Sequence, residues 1–200
     1  MVHILPKKKY QHIIEKLIKR PVFTFRDMLA YDIPYNYAKR LAHMLVKGGR
    51  IKIIEKGKYA TVDDPFLIAP FTVFPSYISM HSALYLNGVL QQVPFTIEIV
   101  TTRRKKHKEI FFEESKIRYY KIRRKHFFGF RYTYYENFEI PVAYTEKALI
   151  DIFYFNMYPI GTINVEKIDS KRLESYLKRI KMKKLADKVL GWLNAERSRT

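Results

Sequence analysis

Apolar residues near the start of the chain recur at the spacing of an amphipathic helix. They stand at positions 10, 13, 14, 17 and 18, which predicts a helix over residues 7–19 that ends before Pro21. The stretch TFRDMLA predicts a second, short helix, with Thr24 as its N-cap and Asp27 completing a capping box. Two helices of different length are therefore expected first.

A third helix and a hairpin follow directly. The apolar pattern predicts a helix over 34–47, capped by Asp32 and ended by a Gly-Gly pair. Ile51 and Ile53 then alternate with basic residues, EKGK forms a turn and YATV returns, which predicts a β-hairpin over 50–61. Helix, short helix, longer helix and hairpin is the element order of a winged helix-turn-helix.

The polar face of the third helix carries side chains of the kind that bind DNA. The major groove admits one helix, and Asn, Arg, Lys and His form hydrogen bonds with base edges. The basic tip of the hairpin is suited to phosphates or the minor groove. The candidate DNA-binding residues are Tyr35, Asn36, Lys39, Arg40, His43, Lys47, Arg50, Lys56 and Lys58. Two alternatives stay open, because any surface helix has a polar face and some winged helices bind only proteins.

Prolines mark a boundary after the hairpin. Three of them follow at intervals of five from Pro65, which disfavours a helix there. We therefore expect a linker near 63–75, between one domain over 1–64 and a second over 65–200. A chain of 200 residues is long enough for two small domains.

Helical patterns recur in the second domain. One helix is expected over 80–87, capped by Ser79, and another in YTEKALIDIFYF, capped by Thr145. Two amphipathic helices over 169–195 form a tail, which either docks on this domain or pairs between protomers.

Strand patterns complete the expected fold. Alternating residues predict strands over 95–102 and 116–123, and GFRYTYYENFEIPVA predicts one or two more. The sequence thus predicts an α+β protein. Its N-terminal winged helix-turn-helix is followed by an α+β domain with a small, mostly antiparallel sheet and C-terminal helices.

Charge is distributed in blocks. The net charge is +19, from 38 Lys and Arg against 19 Asp and Glu. Residues 1–62 hold 14 basic and 4 acidic residues, and residues 103–131 hold 12 and 3. Basic faces on two modules favour binding to a polyanion. The alternative is the charged surface of a thermophilic protein, although such surfaces mix Glu with Lys.

Two basic clusters fall in predicted loops of the second domain. They form a secondary basic patch, which consists of Arg103, Arg104, Lys105, Lys106, Lys108, Arg123, Arg124 and Lys125. If the flanking strands pair as a hairpin, the two clusters lie at different ends or edges of the sheet. Either can bind DNA phosphates beside the winged helix, or RNA. The aromatic residues around them suit base stacking or the core face of a sheet.

Signals for catalysis are weak. Four polar residues raise the question, namely Tyr77, Ser79, His81 and Ser82. The chain has no G-x-S-x-G elbow and no phosphate-binding Gly loop, so we expect Ser82 to be structural. Glu146 is expected to act in helix capping. The six histidines lack ligand spacing and cysteine is absent, so we expect no catalytic residue, metal or cofactor.

Several motifs follow one another in a distinctive order. The predicted winged helix is followed by SYISMHSALYLNGVL, a VTTRR strand end, an FFGF turn and AYTEKALIDIFYF. The patterns Y-I-S-x-x-S-A-L and E-K-A-L-x-D are the most distinctive, and the hairpin ends in KGKYATV. In this order, over roughly residues 8–158, the chain resembles the AbiEi family of antitoxins and transcriptional regulators from type IV toxin–antitoxin and abortive-infection systems.

The resemblance implies a function. Members of the family bind operator DNA upstream of their own operon through the winged helix and repress it, and their C-terminal domain counteracts a nucleotidyltransferase-type toxin. Transferred to this chain, the DNA-contacting helix is 34–47, the wing is 50–61 and the antitoxin activity lies in 76–158. An operator with an inverted repeat favours a homodimer.

Together these patterns predict a sequence-specific transcriptional regulator that is not an enzyme. Its expected partners are double-stranded operator DNA and a nucleotidyltransferase toxin. The alternatives are a nucleic-acid-binding protein without sequence preference and a metal-dependent nuclease built on Asp63, Asp64 and Glu98. No apolar stretch approaches the roughly 20 residues of a membrane span, and the opening residues lack a signal-peptide core, so we expect a cytoplasmic protein without membrane contact.

Overall fold

The computed structural model describes residues 8–199, which form a mixed α+β structure. The predicted helix start at residue 7 lies outside the described residues. The helices are α1 (Lys8–Leu17), α2 (Phe25–Ala30), α3 (Tyr35–Lys47), α4 (Pro65–Ile68), α5 (Met80–Leu86), α6 (Thr145–Tyr154), α7 (Ser170–Ile180) and α8 (Lys183–Arg197). The strands are β1 (Val22–Thr24), β2 (Lys52–Glu55), β3 (Lys58–Ala60), β4 (Ser76–Ile78), β5 (Thr96–Thr101), β6 (Glu109–Phe112), β7 (Ser115–Lys121), β8 (Phe130–Tyr135) and β9 (Phe138–Ala143). Within this part of the chain, no helix is long and apolar enough to cross a bilayer.

The first part of the chain combines three helices with a small sheet. β1, β3 and β2 pair antiparallel in that order, so an unpredicted short strand joins the hairpin. The apolar faces of α1 and α3 bury Leu17, Leu41 and Leu45 in one hydrophobic cluster. The capping box of α2 is confirmed, because Thr24 Oγ1 accepts from Asp27 N (3.2 Å) and Asp27 Oδ2 accepts from Thr24 N (2.6 Å).

Two local predictions in this part are wrong. Asp32 does not cap α3, because it has a φ of 56° and Pro34 occupies the cap position without a side-chain hydrogen bond. Ile51 and Ile53 do not share the buried side: Ile51 is buried just before β2 begins, whereas Ile53, inside the strand, is 59% exposed and Ile54 is buried. The register of β2 against β3 shifts between Ile53 and Glu55.

A six-stranded mixed sheet forms the centre of the remaining chain, in the order β6-β7-β5-β4-β9-β8. β5 runs parallel to β7, because the chain crosses to β6 at the sheet edge and returns as β7. The loops that follow β5 and β7 therefore leave the same end of the sheet, where Ile122 N donates to Thr101 O (2.9 Å). The placement of the two basic clusters at different ends or edges was expected only if these two strands formed a hairpin, and their parallel pairing does not meet that condition.

The proline-rich segment is helical and buried, contrary to the prediction. Pro65 stands in the first turn of α4, where a missing N–H has no intrahelical partner to lose. Asp64 Oδ1 accepts from Phe66 N (2.7 Å) and caps the helix. Phe66 shares a hydrophobic cluster with Ile54 of β2. The segment is thus part of a packed core, and the domain boundary near 63–75 stays a prediction.

The caps expected for α5 and α6 differ from the structure. Ser79 stands at the predicted N-cap position of α5, but its side chain makes no cap hydrogen bond; instead Glu98, from β5, accepts from His81 N (2.7 Å). Tyr144 and not Thr145 is the N-cap of α6, and its side chain makes no cap hydrogen bond. Both predictions considered only local capping, whereas α5 is capped by a distant strand.

The C-terminal helices pack on α6. One hydrophobic cluster buries Leu149 of α6 with Leu173 of α7 and the apolar face of α8. Glu146 does not cap α6, because its carboxylate accepts from Asp169 N (2.8 Å) and pairs with Arg172 (3.3 Å) at the start of α7. The tail therefore docks on the second part of the chain, which is one of the two predicted arrangements.

A buried ion pair within α6 is hydrogen-bonded to β4 of the sheet and to the residue that follows this strand. Lys147 and Asp151 lie one turn apart, and both side chains are completely buried. Asp151 Oδ2 accepts from Tyr77 OH (3.0 Å) and from Ser79 Oγ (2.8 Å), and Lys147 Nζ donates to Tyr77 OH (2.9 Å). Burial lowers the pKa of Lys147 although Asp151 acts in the opposite direction. These hydrogen bonds help to offset the cost of removing two charges from water.

The FFGF turn closes over this pair. Gly129 has a φ of 77°, and a Cβ at this position would lie 3.0 Å from the Cβ of Lys147. Only glycine adopts this conformation without strain and leaves room for the lysine stem. The motifs Y-I-S, FFGF and E-K-A-L-x-D therefore meet in one buried cluster.

Removing the carboxylate of Asp151 is expected to destabilise the fold strongly. Asp151→Ala leaves the Lys147 ammonium buried without a counter-charge, so we expect the free energy of unfolding to fall by about 3–5 kcal/mol. Urea denaturation followed by circular dichroism measures this. The matched control is Glu174→Ala, which breaks the exposed ion pair with Lys178 (2.9 Å) and is expected to change little because solvent screens that pair. An Asp151→Ala midpoint equal to that of the control would contradict the prediction.

Candidate nucleic-acid interface

The outer face of α3 presents a row of polar side chains to solvent. Asn36, Arg40, His43 and Lys47 follow one another at helical spacing, and all four are exposed. The opposite, apolar stripe of α3 is buried in the N-terminal cluster. Because that burial fixes the rotation of the helix, these four side chains are available to a partner, as are the exposed Tyr35 and Lys39.

Beside this row, an open cleft of about 590 Å³ lies between the starts of α2 and α3 and the hairpin. Its lining residues are Thr24, Phe25, Arg26, Tyr35, Lys39, Lys56, Gly57, Lys58 and Tyr59. Four of them are cations, and none of these described lining residues is acidic. The cleft therefore has a positive potential that attracts phosphate. It brings together four of the predicted DNA-binding residues.

Backbone and ring contacts fix the geometry of this cleft. Phe25 N, at the start of α2, donates to Gly57 O at the hairpin tip (2.8 Å). The Phe25 ring meets the Tyr35 ring edge-on, with 5.3 Å between the centroids. Gly57 has a φ of 74°, which glycine adopts without strain. The tip of the hairpin is thereby held close to α2 and α3.

The two lysines of the hairpin tip have different surroundings. Lys56 is exposed, whereas Lys58 is half-buried. Lys58 Nζ donates to Glu55 Oε1 (2.7 Å) and to the carbonyl of Thr72, in the segment before β4. Lys56 is therefore free to contact a phosphate, while Lys58 also holds the hairpin against the second part of the chain. Arg50, which precedes β2, is exposed.

The secondary basic patch is exposed at the end of the sheet where β5 and β7 finish. Every member except Lys105 is exposed to solvent. Lys105 Nζ donates to Glu55 Oε1 (2.7 Å) and lies 4.6 Å from the centroid of the Tyr119 ring. Because Glu55 belongs to β2, its contact with Lys105 places this part of the patch next to the hairpin.

The four polar residues that suggested catalysis separate into two buried clusters. Tyr77 and Ser79 bind the Asp151 carboxylate, as described above. Ser82 Oγ donates to Thr96 O (3.1 Å) and accepts from the N–H of a β5 residue. Ser82 thus joins α5 to β5, which confirms its structural role.

His81 and Glu98 form a second buried pair, at the edge of a cleft of about 340 Å³. His81 Nδ1 lies 3.1 Å from Glu98 Oε1, and its Nε2 lies 3.1 Å from the carbonyl oxygen of Tyr158. Both oxygens only accept, so the imidazolium form satisfies both ring nitrogens. Burial by itself lowers the pKa of His81, but the hydrogen bond and charge of Glu98 outweigh it, and the pKa is raised.

The carboxylates considered for a nuclease have other partners. Asp63 pairs with Lys52 (2.9 Å), and Asp64 caps α4. Glu98 caps α5 from its place on β5. Among the residues that the structure describes, no group of three His, Cys, Asp or Glu side chains is placed to hold a metal ion.

Sequence patterns missed two residues that shape this surface. Arg26 lines the cleft from α2, and its place on the side of the helix away from the buried Met28 was the available signal. Glu55 binds both Lys58 and Lys105, and no local pattern predicts a contact between residues 50 positions apart.

The His81–Glu98 pair makes stability depend on pH. The folded pKa of His81 is raised above its ordinary value of 6.5. The stabilisation that protonated His81 gives the fold is therefore fully present below the unfolded pKa of about 6.5, and it is lost as the pH rises through the folded pKa. We therefore expect wild type to exceed His81→Ala in unfolding free energy by more at about pH 6 than at about pH 9. Denaturant titrations at both pH values measure the difference. His107→Ala, at an exposed histidine, is the control, and a pH-independent difference for His81→Ala would refute the assignment.

Comparison with protein-family models and with curated proteins finds no match. The resemblance to AbiEi proteins therefore depends on the motifs quoted above.

Proposed function

We propose that this protein is a sequence-specific DNA-binding transcriptional regulator, in which residues 8–61 act as a winged helix-turn-helix. In this proposal α3 enters the major groove, and the hairpin of β2 and β3 is the wing. The observation that carries it is the exposed polar row of α3 beside a cleft lined by four cations. A helix in the major groove needs hydrogen-bonding side chains on its outer face, and the flanking phosphates need cations.

Individual side chains have different roles in this proposal. Asn36 and Arg40 contact base edges, since Asn pairs well with adenine and Arg with guanine, each good pair giving about 1–3 kcal/mol of discrimination. His43, on the same face, is a third candidate for base contact. Lys39 and Lys56 face the cleft and contact phosphates, which position the protein but carry no sequence information.

The resemblance to AbiEi proteins extends the proposal to the rest of the chain. We propose that the protein represses its own operon and that residues 76–158 counteract a nucleotidyltransferase-type toxin, without enzymatic activity of their own. The distinctive motifs contribute Tyr77, Ser79, Lys147 and Asp151 to the buried cluster. These motifs support a shared fold more directly than a shared chemistry, so the toxin partner depends on the resemblance alone. An inverted-repeat operator would be bound by a homodimer.

A second candidate function is nucleic-acid binding without sequence preference. The exposed secondary basic patch favours it, because such a surface binds any phosphate backbone. The two functions differ in their preference among duplexes. A regulator prefers one site strongly, whereas a general binder holds all duplexes equally and depends steeply on salt.

A gel-shift titration tests the regulator. It compares DNA upstream of the protein's own gene with a shuffled duplex of equal length, at about 150 mM salt and with magnesium present. We expect wild type to prefer the upstream DNA. The double variant Lys39→Ala, Arg40→Ala should bind it at least about tenfold more weakly, because it can no longer contact one base and one phosphate.

The control for this experiment removes the same charge elsewhere. Lys183→Ala, Lys184→Ala removes two exposed cations of α8 and is expected to bind like wild type. Equal affinity of wild type for both duplexes would contradict sequence-specific recognition and support the general binder. Cleavage of the DNA that requires magnesium would support a nuclease instead.

A further inference from the structure

Two segments of the second part of the chain carry no charge. Residues 82–97 run from α5 into β5, and residues 152–165 run from α6 towards α7; neither segment contains Asp, Glu, Lys or Arg. In the whole chain 28% of the residues are charged. The absence of charge from two segments of this length therefore distinguishes this region from the rest of the protein.

The two segments lie side by side. Asn164 N donates to Val89 O (3.0 Å), and Leu90 pairs with Ile163 in an antiparallel bridge. Gly161 allows this close approach, because it has a φ of 82° and a Cβ at this position would lie 2.9 Å from Leu90 Cδ1. The segments therefore form one continuous surface near the start of β5.

Large apolar side chains project from this surface around a cleft. Val93, Phe95, Tyr158 and Ile160 are each at least 62% exposed. Beside them lies the cleft of about 340 Å³ described above, which is lined from both segments. We use the name uncharged surface for these four side chains together with the cleft. Exposed apolar side chains gathered in one place are typical of an interaction site.

The charged side chains that line the cleft have partners. Arg118 is paired with Glu109 (2.9 Å), and His81 is paired with Glu98 (3.1 Å). The core of a protein–protein interface is depleted of charged residues and enriched in aromatic ones. The uncharged surface therefore has the composition of such a core and differs from the basic faces of the protein.

A second copy of the chain is the partner that this surface suits. In a two-fold dimer the same surface of each copy faces the other, so an unpaired charge near the axis meets a like charge. Each copy has a net charge of +19, so contact between two copies needs a surface without unpaired charge. The uncharged surface meets this condition. Because it holds projecting side chains beside a cleft, it is also complementary to itself.

The basic loops lie at the opposite end of β5 from this surface. Phe95 directly precedes β5, whereas the loop that contains Arg103 follows its end. The strand from Thr96 to Thr101 spans about 17 Å at about 3.3 Å per residue. That length is about twice the Debye length of about 8 Å at physiological salt. Salt therefore screens the repulsion between the basic loops of two copies that meet at the uncharged surface.

We infer that the uncharged surface is the interface of a homodimer, in which apolar side chains of each copy enter the cleft of the other. The inference rests on the proposed function in one respect, since a two-fold dimer matches an inverted-repeat operator. The pairing itself needs no DNA. None of the candidate DNA-binding residues belongs to the uncharged surface, so this contact does not use them.

Sedimentation equilibrium of the full chain, at about 150 mM salt and without DNA, tests the inference. We expect wild type to have twice the mass of one chain. The double variant Phe95→Glu, Ile160→Glu should have the mass of one chain, because like charges then face each other across the axis. The control Tyr134→Glu places a carboxylate at an apolar residue of β8 that is 76% exposed and lies outside the uncharged surface, so it should remain dimeric.

A variant of opposite charge distinguishes loss of pairing from loss of folding. The double variant Phe95→Lys, Ile160→Lys should also have the mass of one chain when it is alone. An equal mixture of the Glu and Lys variants should form dimers again, because opposite charges then face each other. The far-ultraviolet circular dichroism spectra of both variants should equal that of wild type. Two folded variants that stay apart in the mixture would overturn the inference.

The other outcomes separate this inference from the proposed function. Wild type with the mass of one chain, or a Glu variant that stays dimeric, overturns the inference and leaves the DNA-binding regulator standing. A dimeric wild type that binds the upstream and shuffled duplexes equally contradicts the proposed function and leaves the dimer standing. Wild type with the mass of one chain that binds phosphatidylcholine vesicles, with binding lost in the Glu variant, would assign the surface to a membrane and overturn the inference.

Discussion

The buried ion pair of Lys147 and Asp151 is the interaction on which the second part of the structure depends. Removing these two charges from water costs several kcal/mol for each ion, and the cost is offset only if geometry and hydrogen bonds are good. Tyr77 and Ser79 supply those hydrogen bonds from β4 and its end, and Gly129 allows the close approach of the covering turn. A slipped packing of α6 on the sheet would remove the hydrogen bonds that Tyr77 and Ser79 make to these buried charges, so the cluster favours one arrangement.

This constraint reaches the hairpin of β2 and β3 through β4. That strand pairs with β5, whose end carries the basic loop, and it follows the segment that accepts a hydrogen bond from Lys58. Ile54 and Ala60 of the hairpin belong to the same hydrophobic cluster as the sheet. The hairpin is therefore fixed both by this apolar packing and by the hydrogen bond of Lys58. In the proposed function this hairpin is the wing, and because it is already ordered it has less conformational entropy to lose on binding, which favours affinity.

Sequence periodicity predicted the elements that depend on contacts between residues close together in the chain. The long helices, the Thr24–Asp27 capping box and the exposed face of α3 follow from spacing within a few residues. The short strands β1, β4 and β6 were missed, because three or four residues carry no reliable period. Contacts between distant segments were also missed, including the cap that Glu98 supplies to α5 and the bridge that Glu55 makes to Lys105. The parallel pairing of β5 and β7 belongs to the same class, since only the path of the chain through β6 determines it.

The central claim is that α3 recognises a particular DNA sequence. Selection of bound duplexes from a pool with a randomised central segment, followed by sequencing, tests it most directly because it assumes no operator. The account predicts enrichment of one motif with an inverted repeat, and loss of that enrichment when Asn36 and Arg40 on the outer face of α3 are replaced by alanine. A pool that stays random after selection by wild type, although DNA is bound, would contradict the claim and leave α3 as a contact to phosphates alone.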